Sequence, residues 1–187
     1  MAPRRLLQGA SNFRDLGGYA GRDGARVRAH QVFRSDHLAG LTADDVAQLQ
    51  GWGVTHSLDF RGTQERQATP YAWPGLVHRP LGIEPTVVRR LREWHARGEV
   101  PTAADTVAVM CQTYRDFASH HGPVFGRFMR HLIEEPGAVV FHCTSGKDRT
   151  GFAAALLLSA LGVDEATIEH DYLLTNLCYQ PLASLAS

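Results

Sequence analysis

The sequence has 187 residues, enough for one domain of ordinary size with a single core. Its 19 lysines and arginines balance its 19 aspartates and glutamates, so the zero formal charge provides no long-range field for nucleic acid or an anionic membrane. The first ten residues lack the apolar core of a signal peptide, and no segment approaches transmembrane length. These features predict a soluble cytoplasmic protein without stable membrane insertion. Secretion without a recognisable signal stays open.

Hydrophobic periodicity, caps and chain breakers predict alternating strands and helices along the chain. The turn residues Arg22-Asp23-Gly24 predict an opening hairpin, and Thr42 and Asp164 are typical helix N-caps. Predicted strands lie at residues 12–19, 27–34, 54–60, 76–81 and 138–141, and predicted helices at residues 43–50, 85–97, 103–119, 122–134, 150–161 and 165–176. The order predicts one α/β domain over residues 1–187, with a mostly parallel, buried central sheet flanked by helices.

The predicted helix at residues 85–97 is amphipathic and basic. Its apolar side chains are interspersed with Arg89, Arg90, Arg92 and Arg97. This pattern is typical of a surface helix whose arginine stems cover apolar surface. A flap that faces the substrate is the alternative.

The segment from His142 to Gly151, between a predicted strand and a predicted helix, reads H-C-T-S-G-K-D-R-T-G. Amides that curl from a strand end towards a helix N-terminus offer N–H donors and a favourable dipole to an anion. The same field lowers the pKa of a thiol, so a thiolate at Cys143 would be nucleophilic near neutral pH. Arg149, six residues later, can bind two phosphate oxygens through its planar guanidinium and stabilise transition-state charge. The spacing therefore predicts a cysteine-dependent phosphatase.

Other residues of this segment have narrower predicted roles. Gly146 permits a tight backbone path, Lys147 adds a charge at the rim, and the Thr150 hydroxyl can approach the sulfur. His142 is predicted to orient the loop, and a buried structural histidine is the alternative. The predicted substrate-binding residues are Thr144, Ser145, Gly146, Lys147 and Thr150.

The loop resembles the C-x5-R signature of the protein tyrosine phosphatases, and its fuller H-C-x-x-G-K-D-R-T-G pattern is similar to the bacterial tyrosine and lipid phosphatases. Four shorter segments are similar to the same family: N-F-R-D-L-G-G-Y from Asn12, F-R-S-D from Phe33, D-F-R from Asp59 and D-Y-L-L-T-N from Asp171. The resemblance implies a tyrosine-phosphatase-like fold and a phosphocysteine intermediate, with no metal or other cofactor. It implies phosphotyrosine substrates, with phosphoserine, phosphothreonine or phosphoinositides in addition, and leaves the oligomeric state open.

Two features depart from the family pattern. Long-studied tyrosine phosphatases take their general acid from a mobile W-P-D loop, whereas the only W-P pair of this chain, Trp73-Pro74, is followed by Gly75. Relatives also commonly continue well beyond D-Y-L-x-S-N, whereas this chain stops at Ser187, so the presence of a C-terminal lid is left open.

Asp148 is the predicted general acid, because the resemblance assigns that task to the aspartate beside the loop arginine. Asp105 and Asp116 are the alternatives, since other phosphatase branches carry their acid at a comparable distance before the cysteine. Both fall inside a predicted helix, which ranks them lower. Asp148 could instead pair with a neighbouring cation and brace the loop.

Several charged residues outside the loop are predicted to support it. Asp59 with Arg61 is expected to form an ion pair under the sheet, and a direct role at a strand end is the alternative. Asn12, Arg14 and Asp15 are predicted loop braces.

The three cysteines lie far apart, which argues against a disulfide framework or a C-x-x-C metal site and favours a reducing compartment. Cys111 and Cys178 are predicted core thiols, and the alternative is that one protects Cys143 through a disulfide.

Three other functions compete with a phosphatase. A Walker-type nucleotide loop would need glycine where Phe141 stands and serine or threonine where Asp148 stands. A sulfur-transfer enzyme would not need the Arg149-Thr150 ending. A phosphate-binding module that has lost turnover is the non-enzymatic alternative, raised by the missing W-P-D acid.

Overall fold

The structure is a computed structural model that describes residues 5–84 and 86–181. Within these residues the strands are β1 (Arg14–Asp15), β2 (Val32–Ser35), β3 (Val54–Asp59), β4 (Val77–Pro80) and β5 (Ala138–His142). The helices are α1 (Ala43–Gly51), α2 (Thr63–Ala68), α3 (Thr86–Ala96), α4 (Ala103–Ser119), α5 (Gly122–Glu134), α6 (Asp148–Ala160) and α7 (Glu165–Cys178). Pro85, predicted to open α3, and Ser187, where a C-terminal lid was left open, lie outside the described residues.

The strands form one sheet in the order β1-β2-β5-β3-β4. Only β1 pairs antiparallel, so the predicted mostly parallel central sheet is confirmed. The register sets Ser35 of β2 and Asp59 of β3 beside His142 of β5. The carboxyl ends of these three strands therefore meet at one edge of the sheet, the usual place for a site in an α/β fold.

The central strand β5 is covered on both faces because its residues alternate between two apolar clusters. Val139 and Phe141 belong to one cluster together with side chains of α4, α5 and α6. Ala138 and Val140 belong to the other, which includes Leu49 of α1. A strand buried on both faces needs apolar residues at every position, which explains the continuous apolar run in the sequence.

The predicted helix caps at Thr42 and Asp164 are confirmed, and Thr102 forms a further cap that was not predicted. The Thr42 hydroxyl accepts a hydrogen bond from Asp45 N at 3.1 Å, and the Thr102 hydroxyl accepts one from Asp105 N at 3.2 Å. Asp164 Oδ1 accepts from the backbone N–H three residues later at 2.9 Å. Each cap satisfies an N–H group that has no partner inside its helix.

The opening hairpin is confirmed, but its first strand is shorter than predicted. Of residues 12–19, only Arg14–Asp15 pairs with β2. The Asp15 carboxylate accepts from Gly17 N at 2.8 Å and from His30 N at 2.7 Å. These bonds hold the backbone in a turn, so the strand cannot extend to Tyr19.

Two helices differ from the prediction. Helix α2 was not predicted, because Thr63–Ala68 is short and mostly polar, without an apolar period. Helix α6 begins at Asp148, two residues before its predicted start at Thr150. The earlier start places Asp148 in the first turn.

The predicted helix at residues 85–97 forms α3, which packs against α4. Arg90 pairs with Glu93 at 3.2 Å. Whether α3 is a surface helix or a substrate-facing flap stays a prediction.

The prediction of core thiols is wrong for Cys111, which is exposed on α4, whereas Cys178 is half-buried. The inner face of α4 buries Thr113 and Phe117 instead. No helix of residues 5–84 and 86–181 is long and apolar enough to cross a membrane.

Candidate active site

The loop of residues 143–147 follows β5 at the shared carboxyl edge of the sheet and leads directly into α6. Cys143, its first residue, is 1% exposed. The thiol therefore lies at the bottom of the loop, where the N-terminus of α6 favours negative charge.

The carbonyl groups of residues 144–146 accept hydrogen bonds from donors outside the loop. His37 N donates to the first at 3.0 Å, Asn12 Nδ2 to the other two at 2.9 and 3.2 Å, and Arg34 Nη2 to the last at 2.8 Å. Within the described chain, the N–H groups of residues 144–149 have no acceptor. Backbone amides left free in this way form a nest that can bind an anion.

Gly146 is required for this path. Its φ of +65° lies in the left-handed region that favours glycine. A Cβ atom at this position would also lie 2.4 Å from the carbonyl oxygen of Ser35. The loop therefore packs directly on the end of β2, as the sequence predicted for a tight backbone turn.

A buried ion cluster lies behind the loop. Asp171 of α7 binds Arg14 Nε at 2.9 Å and also binds Arg34, which is fully buried. Burial alone would raise the pKa of Asp171, but the two guanidinium groups outweigh it and the pKa is lowered. Asn12 and Arg14 are therefore braces of the loop, as predicted, whereas Asp15 holds the turn after β1.

Arg149 is buried and held by Glu65 of α2, which had no role in the sequence analysis. Its Nη1 and Nη2 atoms donate to the two Glu65 carboxylate oxygens at 2.6 and 2.9 Å, and Nη1 also donates to Ile83 O at 3.0 Å. The Thr144 hydroxyl donates to the same carboxylate. No described residue bonds Arg149 Nε. The guanidinium is thus fixed at one end while Nε stays free for a ligand.

The Glu65 carboxylate stays ionised at neutral pH. Burial raises the pKa of Glu65, but the hydrogen bonds and charge of Arg149 lower it further, so the net shift is downward. The ion pair is therefore kept at neutral pH and lost only as the pH falls below the usual range of a glutamate.

His142 is fully buried and neutral, because burial lowers its pKa to about 4. Its Nδ1 lies 3.1 Å from the Cys143 carbonyl oxygen and its Nε2 lies 2.6 Å from the Tyr71 hydroxyl. A neutral ring satisfies both contacts when Nδ1 donates and Nε2 accepts from Tyr71. Asp59 lies 3.7 Å from His142 Nε2 and forms the predicted buried ion pair with Arg61, at 2.8 Å.

Asp148 is half-buried and receives a hydrogen bond from another helix. The Tyr114 hydroxyl of α4 donates to Asp148 Oδ1 at 2.8 Å, and the Tyr172 hydroxyl of α7 lies 2.6 Å from that of Tyr114. Asp148 forms no ion pair with any described cation within 4 Å. Its hydrogen-bond partner is therefore a hydroxyl group, while its charge is among those that raise the pKa of Arg149, so the bracing role stays an alternative.

Asp105 and Asp116, the alternative candidates for the general acid, form their contacts away from the loop. Asp105 caps α4 through Thr102, and Asp116 lies 3.4 Å from His120. Neither forms a hydrogen bond or ion pair with a described loop residue. Trp73 of the W-P pair is 9% exposed and belongs to the apolar cluster around Leu49, so it packs as a core residue.

Two predicted substrate-binding side chains have no polar partner. The Thr150 hydroxyl is buried and bonds neither Cys143 nor any other described residue. Lys147 is half-buried, at the N-cap of α6, and within residues 5–84 and 86–181 its ammonium forms no hydrogen bond or ion pair. No described residue therefore uses the hydrogen-bonding groups of these two side chains, although only Lys147 is partly exposed.

Residues 6–186 match the family model described as the tyrosine phosphatase family. The chain belongs to this family. The loop with Cys143 and Arg149 at the end of β5 is consistent with this family, whose C-x5-R signature it resembles.

Three proteins similar to this chain are named as phosphatases. A protein of Cupriavidus necator named as a tyrosine-protein phosphatase is 38% identical over 89% of this chain and 60% of its own length. The triple specificity protein phosphatase PtpB of Mycobacterium tuberculosis is 30% identical over 92% of this chain and 69% of its own. A tyrosine-protein phosphatase of Nostoc commune is 45% identical over 78% of this chain and 48% of its own length. The chain thus spans about half to two thirds of each relative.

The sequence of this tyrosine phosphatase family member indicated the loop, but it did not indicate the residues from other helices that contact Arg149 and Asp148. Glu65 and Tyr114 carried no signal, because each lies in a helix far from the loop in sequence. Tyr172 lies inside the D-Y-L-L-T-N segment, next to Asp171, so that segment could have indicated it.

Proposed function

We propose that this chain hydrolyses phosphotyrosine through a phosphocysteine intermediate on Cys143, without a metal. The observation that carries the proposal is the loop itself, where a buried cysteine at a helix N-terminus is followed by backbone N–H groups and an Arg149 Nε that have no acceptor among the described residues. The family membership and the names of the relatives support it.

In the first step the Cys143 thiolate attacks phosphorus, and the bond from phosphorus to the leaving oxygen breaks. The loop amides and Arg149 bind the equatorial oxygens, where charge is concentrated in the transition state. Asp148 donates its proton to the leaving oxygen, which departs as a neutral alcohol or phenol.

In the second step water attacks phosphorus of the phosphocysteine, and the sulfur–phosphorus bond breaks. The Asp148 carboxylate takes a proton from the water, which restores the acid for the next cycle. Cys143 leaves as a thiolate, which the N-terminus of α6 stabilises. Inorganic phosphate is the second product.

We further propose that phosphoserine, phosphothreonine and phosphoinositides are substrates too. The relative PtpB is named a triple specificity protein phosphatase. The half-buried Lys147 ammonium has no polar partner among the described residues, which leaves it to bind an additional phosphate. We also propose a cytoplasmic location, because the three separated cysteines favour a reducing compartment.

Turnover measured with phosphotyrosine peptide, phosphoserine peptide and an inositol lipid tests this function. We expect turnover of all three, and Lys147→Ala should lower lipid turnover about tenfold while changing phosphotyrosine turnover less than about threefold. Equal losses on all three, or no lipid hydrolysis, would remove the lipid proposal. Phosphate binding without turnover of any ester would instead identify a binding module.

Asp148→Asn should separate substrates by their leaving group. Turnover of alkyl phosphates and phosphoserine should fall by about 10²- to 10⁴-fold, because a poor leaving group needs a proton, whereas an activated nitrophenyl ester should change much less. The alkaline limb of the pH profile should flatten.

Asp105→Asn and Asp116→Asn are the matched controls and should preserve the dependence on leaving group. If Asp148→Asn slows good and poor leaving groups equally and leaves the alkaline limb in place, Asp148 is a structural residue. The general acid is then to be sought at Asp105 or Asp116.

A further inference from the structure

Two tyrosine hydroxyls connect Asp148 to the last helix. Tyr114 donates to Asp148 Oδ1 at 2.8 Å, and the Tyr172 hydroxyl lies 2.6 Å from the Tyr114 hydroxyl. Within the described part of the chain, Asp148 Oδ2 has no hydrogen-bond partner. One carboxylate oxygen is thus occupied by a fixed donor, and the other is open.

Packing against α6 fixes the outer tyrosine. A Cβ atom at Gly151 would lie 2.7 Å from the Tyr172 ring, so the ring rests directly on the first turn of α6. The preceding residue, Asp171, binds Arg14 and Arg34 behind the loop. One residue of α7 is therefore held by two arginines and the next packs on the first turn of α6, which restricts the position of the Tyr172 hydroxyl.

The direction of the hydrogen bonds follows from the protonation of Tyr114. Burial, the hydrogen bond to Tyr172 and the charge of Asp148 all raise the pKa of Tyr114, so its hydroxyl keeps its proton. When Asp148 is ionised, Tyr172 donates to Tyr114 and Tyr114 donates to Oδ1. Since Oδ1 already accepts this proton, a proton carried by Asp148 belongs on Oδ2.

We propose that Tyr114, held by Tyr172, is a positioning residue that occupies Asp148 Oδ1 and so directs the acidic proton, on Oδ2, to the leaving oxygen. The inference rests on the proposed function, in which Asp148 is the general acid. If Tyr114 and Tyr172 have this role, the hydrolysis of substrates with poor leaving groups depends on α4 and α7 as well as on the loop and α6.

The charged and titratable groups near Asp148 come from three elements. They are Lys147 and Arg149, which flank Asp148 in sequence, Tyr114 of α4, and Tyr172 of α7, which reaches Asp148 through Tyr114. Replacing either tyrosine by phenylalanine removes a hydroxyl group and leaves the formal charge of the site unchanged.

Tyr114→Phe removes the donor and keeps the ring. We expect phenyl and alkyl phosphates to slow about 10- to 100-fold relative to nitrophenyl phosphate, because the acid loses its orientation. The alkaline limb should move to higher pH, since a hydroxyl that donates to a carboxylate favours its charged form. Tyr172→Phe should change both readouts in the same direction by a smaller factor.

The double variant Tyr114→Phe with Asp148→Asn tests whether the effect passes through Asp148. The leaving-group effect of Tyr114→Phe should disappear in the D148N background. Tyr19→Phe is the matched control, because it removes a tyrosine hydroxyl that lies 3.2 Å from the carboxylate of Asp171 instead, and it should preserve the leaving-group dependence.

The ratio of two substrates and the position of a pH limb do not depend on the fraction of folded enzyme, so a destabilised variant remains informative. Equal slowing of all substrates by Tyr114→Phe with an unmoved limb, or a full effect in the D148N background, would overturn the inference alone. A wild-type protein that hydrolyses no aryl phosphate would instead overturn the proposed function.

Discussion

Cys143→Ser should lower the turnover of every phosphate ester by about 10⁴-fold or more while leaving oxyanion binding largely intact. A serine hydroxyl has a far higher pKa than a thiol, so the N-terminus of α6 cannot ionise it near neutral pH. The loop amides and Arg149 do not involve the sulfur in their own contacts. Steady-state turnover of nitrophenyl phosphate and calorimetric binding of tungstate measure the two properties.

Cys111→Ser is the matched control, because Cys111 is exposed on α4 and takes no part in the loop. We expect this variant to keep wild-type turnover. Near-normal turnover by Cys143→Ser, without an added nucleophile, would contradict a covalent intermediate.

Arg149→Lys should lower kcat by about 10³-fold even though the positive charge is kept. The guanidinium binds both Glu65 oxygens through its Nη atoms and still presents Nε to a ligand. A lysine ammonium is a point charge and cannot satisfy both partners in these directions. Glu65→Gln keeps a hydrogen-bonding group of similar shape, so it should lower kcat by a smaller factor than Arg149→Lys.

The control for this change is Arg97→Lys, at an exposed arginine that pairs with Glu99 outside the site. Its turnover should equal that of the wild-type chain. A similar kcat for Arg149→Lys and the wild-type chain would show that the planar contact with phosphate is not required.

Local sequence signals were sufficient for most of the fold. The caps at Thr42 and Asp164 and the apolar run of β5 depend on neighbouring residues only, so short-range patterns predicted them. Helix α6 begins two residues earlier than predicted, where Gly151 N donates to the Lys147 carbonyl at 2.7 Å. Helix α2 has no apolar period, and its Glu65 contacts the loop across 84 positions of sequence.

The site was predictable to the extent that its residues are contiguous. The strand, the glycine and the helix N-terminus lie within ten positions, and elementary chemistry connects them. The partners that orient Arg149, His142 and Asp148 come from other elements. Their positions depend on tertiary packing, which periodicity and propensity do not contain.

The arrangement behind the loop has a consequence for biosynthesis. Asn12 and Arg34 hold the loop carbonyls from the N-terminal side, but Arg34 is itself held by Asp171, which is translated after the loop. A nascent chain that ends before α7 therefore carries the cysteine and arginine without the carboxylate that neutralises the two buried guanidinium groups. We therefore expect the support of the anion-binding loop to be complete only once α7 has left the ribosome.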